Sequence, residues 1–489
     1  MYLCPKQALS MEKSLSPETG VKQYDFGMIG LGTMGRNLAL NISDHGYSVA
    51  GFDKDRAKVE DLEQESGRHA VHGVSDLNTF VNALKTPRSI LLLVPAGPAV
   101  DAVIAELMPL LNAGDLLADC GNSHFSDTDR RSRHLEEAGF RFLGVGVSGG
   151  EAGARFGPSI MPGGDRAAFE RVEPMLQAIS AKVNGEPCMG WLGPRSAGHY
   201  VKMAHNGIEY ALMQLLSETY HLLKEAGGLG NDELNALFSQ WNEGPLQSFL
   251  LEITAAIFAR PDDLSSARLI DMIRASAKQK GTGMWTSQNA LDLHIPVPAI
   301  DMAVMQRDLS ALAEERVLAQ KLNNKVPLPD KPTDKQLLVT QLEQGLQFAT
   351  IVTYAQGLSL LHHASAAYGY SLNMAEVARI WRGGCIIRAA LLEDIRAVYA
   401  NQPGLPNLLL APAFAQKLTA LQAGTRYILK IAIDHGIPVP AFMACLSYYD
   451  AYRRDWLPAN LIQAQRDFFG AHTYERTDRT GVFHTNWGQ

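Results

Sequence analysis

No uninterrupted apolar run in this 489-residue sequence reaches the 18 or so residues needed to span a bilayer, so no membrane segment is expected. Cysteine is scarce. Cys4, Cys120, Cys188, Cys385 and Cys445 are scattered, odd in number and without CxxC spacing, which argues against a disulfide scaffold or a zinc site. Charge is sparse as well: 19% of residues are charged, and 44 lysines and arginines against 51 aspartates and glutamates leave a net charge of −7, so a nucleic-acid surface is not expected. The first 20 residues lack the apolar core of a secretion signal and read as a loose extension over 1–24, with Met1 and Met11 both open as starts. What is abundant is core. Hydrophobic residues make up 46%, the profile of a folded cytoplasmic protein of two or three domains.

In the first half, short β-type runs alternate with helical segments. DFGMIG (25–30), YSVAGFD (47–53), SILLLV (89–94), DLLADC (115–120) and FRFLGVGV (140–147) predict a doubly wound, mostly parallel sheet in an α/β domain over 25–195. From Ser196 the pattern turns to long helices. The first, 196–227, has apolar residues on nearly every face, as in a helix buried inside a large all-α domain, here 196–473. That half also repeats itself. HIPVPA (294–299) returns as GIPVPA (436–441), and QWNEG…SFLLEI (240–253) returns as IWRGG…ALLEDI (380–395), both at an offset of about 140 residues. An internal duplication is expected, with units of about 196–320 and 336–473 joined by the Pro- and Lys-rich 321–335. The ending, 474–489, is polar and rich in turn formers, a tail that needs another surface to order it.

GLGTMG, comprising Gly30, Leu31, Gly32, Thr33, Met34 and Gly35, follows the first strand and opens a helix. The first glycine permits a tight turn, the second admits a pyrophosphate to the backbone, and the third lets helix and strand pack closely. Asp53 ends the second strand about eighteen residues past Gly35, the ribose-recognition position of a Rossmann-type dinucleotide-binding domain. A carboxylate there accepts from both ribose hydroxyls of NAD and repels the 2′-phosphate of NADP; Lys54 and Arg56 offset that repulsion, leaving NAD or dual use.

On the long helix, Lys202, His205, Asn206 and Glu209 stand at relative positions 0, +3, +4 and +7, within one stripe at about 100° per residue. Lysine and glutamate Cα atoms are then about 10 Å apart, so a base and an acid flank a small extended substrate. The competing reading is an ion-paired surface face; the apolar neighbours Val201, Met203, Ala204 and Ile208 speak for burial, which would lower the lysine pKa. VSGGEAGARFG (147–157) and KQKGTGMWT (278–286) are glycine-rich with hydroxyls, suited to a polar ligand or simply to turns. Arg307 and Arg466 read on their own as surface cations.

Together, GLGTMGRNLALNISDHG, DCGNSHFSDT, GVSGGEAGARFGPSIMPGG, GHYVKMAHNGIEY, QKGTGMWT, WRGGCIIR and PANLIQAQRDFFGAHTYERTDRTGVFHTNW resemble, in order, the decarboxylating 6-phosphogluconate dehydrogenase family from about residue 25 to the C-terminus. The resemblance implies an oxidoreductase that oxidises 6-phospho-D-gluconate at C3 and releases carbon dioxide to give ribulose 5-phosphate, without a metal. It implies Lys202 as the base and Glu209 as the acid that protonates C1 of the enediol. It further implies His205 and Asn206 on the sugar acid; Asn122, Ser148, Gly149 and Gly150 along substrate and nicotinamide; Tyr210, Lys280, Thr282 and Arg307 on the phosphate; and Arg466 and His472 supplied by the neighbouring subunit's C-terminal region in a homodimer with exchanged tails.

The sequence departs from the family pattern on the cofactor side. Asp53-Lys54-Asp55 stands where NADP-dependent members carry Asn-Arg-Thr or Asn-Arg-Ser, and Val94-Pro95-Ala96 replaces Val-Lys-Ala. The family favours NADP, these residues NAD. Two other functions stay open: a β-hydroxyacid dehydrogenase for an unphosphorylated acid, and a non-catalytic dinucleotide-binding protein.

Overall fold

In a computed structural model the described residues are 23–67, 70–322 and 333–488. Residues 1–22 of the expected 1–24 extension and most of the 321–335 connection therefore lie outside them, while Tyr24, expected in the extension, is buried and its backbone N–H donates to Ala83 O (2.8 Å). No helix among the described residues is long and apolar enough to cross a membrane.

The first half is a seven-stranded sheet among the described residues: β1 (Phe26–Ile29), β2 (Val49–Phe52), β3 (Val71–Val74), β4 (Ser89–Leu92), β5 (Leu116–Asp119), β6 (Arg141–Ser148) and β7 (Ser159–Gly164), in the order β3-β2-β1-β4-β5-β6-β7. All neighbours are parallel except β6 and β7. Helices α1 (Thr33–Asp44), α2 (Arg56–Ser66), α3 (Leu77–Asn82), α4 (Pro98–Leu107), α5 (Phe125–Glu137), α6 (Gly150–Phe156) and α7 (Arg166–Ile179) cover both faces. Alternate strand residues feed two cores. Ile29, Phe52, Leu92 and Leu117 pack with Phe80, Ile104 and Leu135, whereas Met28, Val49, Leu91 and Val145 pack with Leu38, Val172 and Leu176. Burial on both faces is why these strands read as continuous apolar runs.

β3 and β7 were not among the predicted strands. β3 (VHGV) has little apolar character, and its middle residues are exposed or half-buried. β7 (SIMPGG) carries a proline and two glycines, which ordinarily argue against a strand. Its place explains the tolerance: β7 is the sheet's last strand, bonded in the ladder to β6 alone, with Pro162 opposite Val145.

A short hairpin, β8 (Lys182–Val183) and β9 (Glu186–Pro187), leads into the helical half: α8 (Ala197–Glu225), α9 (Asn231–Trp241), α10 (Phe249–Ala259), α11 (Leu269–Met272), α12 (Thr282–Asp292), α13 (Pro298–Ala311), α14 (Ala313–Leu322), α15 (Lys335–Tyr368), α16 (Met374–Trp381), α17 (Leu391–Asn401), α18 (Pro412–His435), α19 (Pro440–Tyr452) and α20 (Ala459–Gly470). The two longest, α8 and α15, each precede a short helix ending in tryptophan. Each series then reaches a helix opened by Val-Pro: Val297 (φ −129°, ψ 49°) before α13 and Val439 (φ −135°, ψ 56°) before α19. The same order of elements thus recurs at the offset of the sequence words.

Neither Val-Pro helix has a cap from its own side chains, and each takes one from the other series. Glu218 of α8 accepts from Ala441 N (2.9 Å) and Phe442 N (3.1 Å) at the start of α19, while Gln356 of α15 accepts from Ala299 N (2.9 Å) in α13. Buried helix starts need such acceptors. Burial pushes the Glu218 carboxyl up to about 7, against the pull of those N–H groups and Gln214. A carboxyl with a folded pKa above its ordinary 4.5 contributes stability that is complete below about pH 4.5 and lost as pH rises through about 7. Glu218→Gln, the residue used at 356, should therefore lose less Tm than the wild type between pH 5 and 8; parallel Tm curves would contradict this account.

Candidate active site

The site begins with glycines. On β6, Gly144 and Gly146 alternate and so share one face, and α8 lies directly on it. A Cβ on Gly146 would sit 2.5 Å from Lys202 Cβ, one on Gly144 3.0 Å from His199 Nδ1, and one on Gly163 of β7 2.3 Å from Gly198 N. The sheet thus adds no side chain at these positions, α8 comes backbone to backbone with β7 at Gly198, and the space the glycines leave on β6 is taken by Lys202 and His199. Burial lowers the Lys202 ammonium pKa, opposed by Glu209 and the Cys385 thiol. Gly146→Ala is expected to displace Lys202 and cut kcat by about a hundredfold, measured beside Tm; wild-type kcat would rule out the close contact as a requirement.

Further along the stripe, His205 is fully buried. Its Nδ1 is 3.0 Å from Asn206 Oδ1 and 3.7 Å from Glu209 Oε2, and its Nε2 is 3.4 Å from Ser148 Oγ at the end of β6. Burial, then the Lys202 charge, push it well below the ordinary imidazole range. Glu209 moves the other way: burial raises its carboxyl against Lys202 and Arg307. Enclosure thus drives the lysine toward a free amine and the glutamate toward a neutral acid, the protonation states a base and an acid need.

The second helical series closes this end. The Trp381 ring meets His205 edge-on at 5.7 Å, and Cys385 Sγ donates to Trp381 O (3.0 Å). Gly384 O accepts from Ser159 N (2.8 Å), and a Cβ on Gly149 (φ +114°) would lie 2.5 Å from that same carbonyl. Below, the Glu186 carboxylate of β9 is gripped by Arg396 (2.7 and 2.9 Å) and Arg382 (2.5 Å), fixing the hairpin to the second series.

The far end is cationic. Arg307 of α13 stacks 3.6 Å over the Tyr210 ring, and its Nη1 donates to Lys278 O (3.2 Å). Lys280 is exposed beside this loop, Gly281 (φ +94°) opens α12, and buried Thr282 is its first residue. Gly283 admits the Tyr210 ring, where a Cβ would stand 2.4 Å away. The stripe therefore runs from the sheet edge at Lys202 to guanidinium and ammonium groups two turns later.

At the other side of the crevice, Gly30 (φ +93°) turns the chain, a Cβ on Gly35 would lie 1.8 Å from Gly30 O, and a Cβ on Gly32 would meet nothing within 4 Å. Gly32 caps α1 without a side-chain acceptor, so the N–H groups of Thr33, Met34 and the first turn face open space. This arrangement fits a pyrophosphate. The Asp53 carboxylate accepts from Leu31 N (2.8 Å) and Asp55 N (2.9 Å), and Asp55 caps α2 through Ala57 N (3.1 Å). Lys54 reaches across to Glu106 Oε1 (2.6 Å). The loops Val94–Pro95–Ala96 and Asn122 follow β4 and β5, and Asn122 is exposed.

One chain thus brings together Lys202, His205, Asn206, Glu209, Ser148 and Gly149 at one end and Tyr210, Thr282 and Arg307 at the other, with Gly150 exposed beside them. Arg466 and His472 make their contacts inside the tail, with Gln463 (3.1 Å) and Phe469 (5.9 Å). The reading of the residues missed the packing glycines and the 381–385 loop. The alternation GVGVS held a signal for the former, since glycines two apart on a strand leave one face bare.

A nucleotide-binding sheet edge facing a buried lysine–glutamate stripe defines a dinucleotide-dependent dehydrogenase. The profile of the NAD binding domain of 6-phosphogluconate dehydrogenase matches residues 25–193, and that of the 6-phosphogluconate dehydrogenase C-terminal domain matches 198–487. The chain is 50% identical over 467 residues to the NADP(+)-dependent, decarboxylating 6-phosphogluconate dehydrogenase of Bacillus subtilis, covering 96% of this chain and 100% of the relative. It is 48% identical over 468 residues to the decarboxylating enzyme of Escherichia coli, again covering 96% and 100%. Among solved structures, Plasmodium falciparum 6-phosphogluconate dehydrogenase, described as apo and in complexes with NADP+ and with 6-phosphogluconate, superposes with a TM-score of 0.92 at 42% identity over 95% of this chain and 100% of that one. The chain belongs to the 6-phosphogluconate dehydrogenase family.

Proposed function

We propose that the protein oxidatively decarboxylates 6-phospho-D-gluconate to D-ribulose 5-phosphate and carbon dioxide, reducing NADP+ or NAD+ in the cytoplasm. The observation that carries this is the enclosed stripe, with Lys202 at the nucleotide edge and Arg307 at the far end. Lys202, kept toward its neutral form, takes the proton from the C3 hydroxyl. A bound dinucleotide supplies the hydride acceptor. The resulting C3 ketone receives the electron pair released as the carboxylate leaves as carbon dioxide, and Lys202, now protonated, donates to that ketone oxygen. Glu209, kept toward its neutral form, then protonates C1 of the enediol. His205, Asn206, Ser148, Gly149, Gly150 and Asn122 orient the sugar acid; Tyr210, Lys280, Thr282 and Arg307 take the phosphate.

The domains that divide this work are 25–195 for the dinucleotide and 196–473 for substrate and dimerisation. Arg466 and His472 belong to the partner's site in a homodimer with exchanged tails. The exposed apolar residues of α20, just before the tail, support this, Phe469 being 72% exposed on a helix whose Arg466 pairs with no anion among the described residues.

The decisive assay is 6-phosphogluconate-dependent dinucleotide reduction with one carbon dioxide per turnover. Lys202→Met should abolish reduction and Glu209→Gln should lower kcat by about 10²–10⁴-fold; wild-type rates in either overturn the assigned role. Arg307→Ala should raise KM for 6-phosphogluconate, whereas unchanged affinity would favour an unphosphorylated acid.

On the cofactor side, Asp53 is fixed by two backbone N–H groups, and Lys54 is engaged by Glu106. Both arrangements work against a 2′-phosphate and support acceptance of NAD beside NADP. Asp53→Asn should raise the ratio of kcat/KM with NADP to that with NAD about tenfold, equivalent to about 1.4 kcal/mol; an unmoved ratio removes Asp53 as the discriminator.

A further inference from the structure

Arg131, on the inner face of α5, is a charged side chain sealed in the sheet domain, 2% exposed. Its guanidinium spends its donors on three separate elements. Nη2 donates to Gly97 O (2.9 Å), in the loop after β4. Nη1 donates to Ser123 Oγ (3.1 Å) and lies 3.5 Å from Asp119 Oδ2, in the loop after β5. Nε and Nη2 hold Asp101 in the first turn of α4 (2.9 and 3.0 Å). Asp119 in turn fixes its own loop, accepting from Gly121 N (3.0 Å) and Ser123 Oγ (2.6 Å). The two loops meet closely, since a Cβ on Gly121 would sit 3.2 Å from Val94 O. From the same helix, Thr128 Oγ1 is 2.7 Å from His199 Nδ1, one turn before Lys202.

We propose that Arg131 is a positioning residue for the dinucleotide: it sets the spacing of the 94–97 and 119–123 loops, and so of Asn122, at the carboxyl edge of the sheet. This rests on the reading of that edge as the dinucleotide site. The physical ground is the shape of the donor. A planar fork with five N–H groups bonds two loops and a helix start at once, which a lysine ammonium on a flexible stem does not reproduce. Asp101 is also held by the exposed Arg130 (3.0 and 3.1 Å), whereas buried Asp119 meets no other cationic side chain in an ion pair among the described residues. Burying a charge is costly unless it is paired and hydrogen-bonded, so the hub is rigid where the loops alone would not be.

The test uses two variants of the full chain. Arg131→Lys keeps the charge and loses the fork; Ser123→Ala cuts one branch without leaving a buried charge alone. By calorimetry, the dissociation constant of the dinucleotide should rise at least about tenfold in Arg131→Lys and about three- to fivefold in Ser123→Ala, while that of 6-phosphogluconate, which meets these loops only through Asn122, rises by no more than about threefold in Arg131→Lys. In the ligand-free protein, amide hydrogens of 94–97 and 119–123 should exchange faster, and those of α8 should not. Equal loss of both ligands in Arg131→Lys would make its role merely structural, and dinucleotide affinity within twofold of wild type in both variants would overturn the proposal. A wild-type protein that binds neither NAD nor NADP would instead defeat the reading of the site itself.

Discussion

The contact on which the rest depends is that of α8 with β6 and β7, where Gly144, Gly146, Gly163 and Gly198 bring helix and sheet together backbone to backbone. A helix packed at ordinary side-chain distance would be held off the sheet by intervening side chains, and a lysine there would not rest against the strand backbone. With no strand side chain in the way, Lys202 is lodged between strand and helix, and desolvation acts on it in full. The same closeness fixes direction. A helix held at its N-terminal turn by a glycine seam cannot rotate, so every residue three or four positions on faces the same crevice. His205, Asn206, Glu209 and Tyr210 inherit their orientation from that seam.

Chemistry follows from unequal enclosure along one helix. Lys202 and His205 are sealed, Glu209 less so, and each shift is set first by burial and only then by neighbouring charge. Lys202 and Glu209 temper each other's shifts, so burial rather than their mutual attraction sets the direction in which each one moves. The second helical series acts here as a lid from below: its 381–385 loop presses Trp381 against His205 and Gly384 against Gly149. The two series also diverged electrostatically. The equivalent capping positions hold a carboxyl at 218 and an amide at 356, the neutral version of the same acceptor.

Much of this was legible in the sequence because periodicity and glycine spacing report local geometry. The βαβ rhythm, the GLGTMG loop and the 0, +3, +4, +7 stripe all depend on residues close in the chain. What escaped depended on partners far away. β7 was hidden by Pro162, acceptable only because that strand ends the sheet. Arg131 carries no local signal, because its importance lies in meeting Gly97, Asp101 and Ser123 at once. Gly384 was quoted within a family word, yet its contact is with residues more than 200 positions earlier, which no local pattern encodes.

The tail raises the remaining question of completeness. Asp467 is wholly buried, yet its partners, Thr473 N, His484 Nδ1, Thr485 N and Trp487 Nε1, all belong to the last turn of α20 and the residues after it. Strands β10 (Tyr474–Glu475) and β11 (Val482–Phe483) pair with each other. The residues after α20 are thus gathered around one carboxylate, while Leu461, Ile462, Phe468 and Phe469 stay exposed on that helix. A polar knot with an apolar outside is unstable as a free appendage, because water penalises the outside while the knot fixes its shape. In the proposed dimer both facts have one cause. On that proposal the knot would present Arg466 and His472 in a fixed attitude, and the apolar helix would supply the adhesion that carries them to the partner's phosphate end, adding to the positive charge of Arg307 and Lys280.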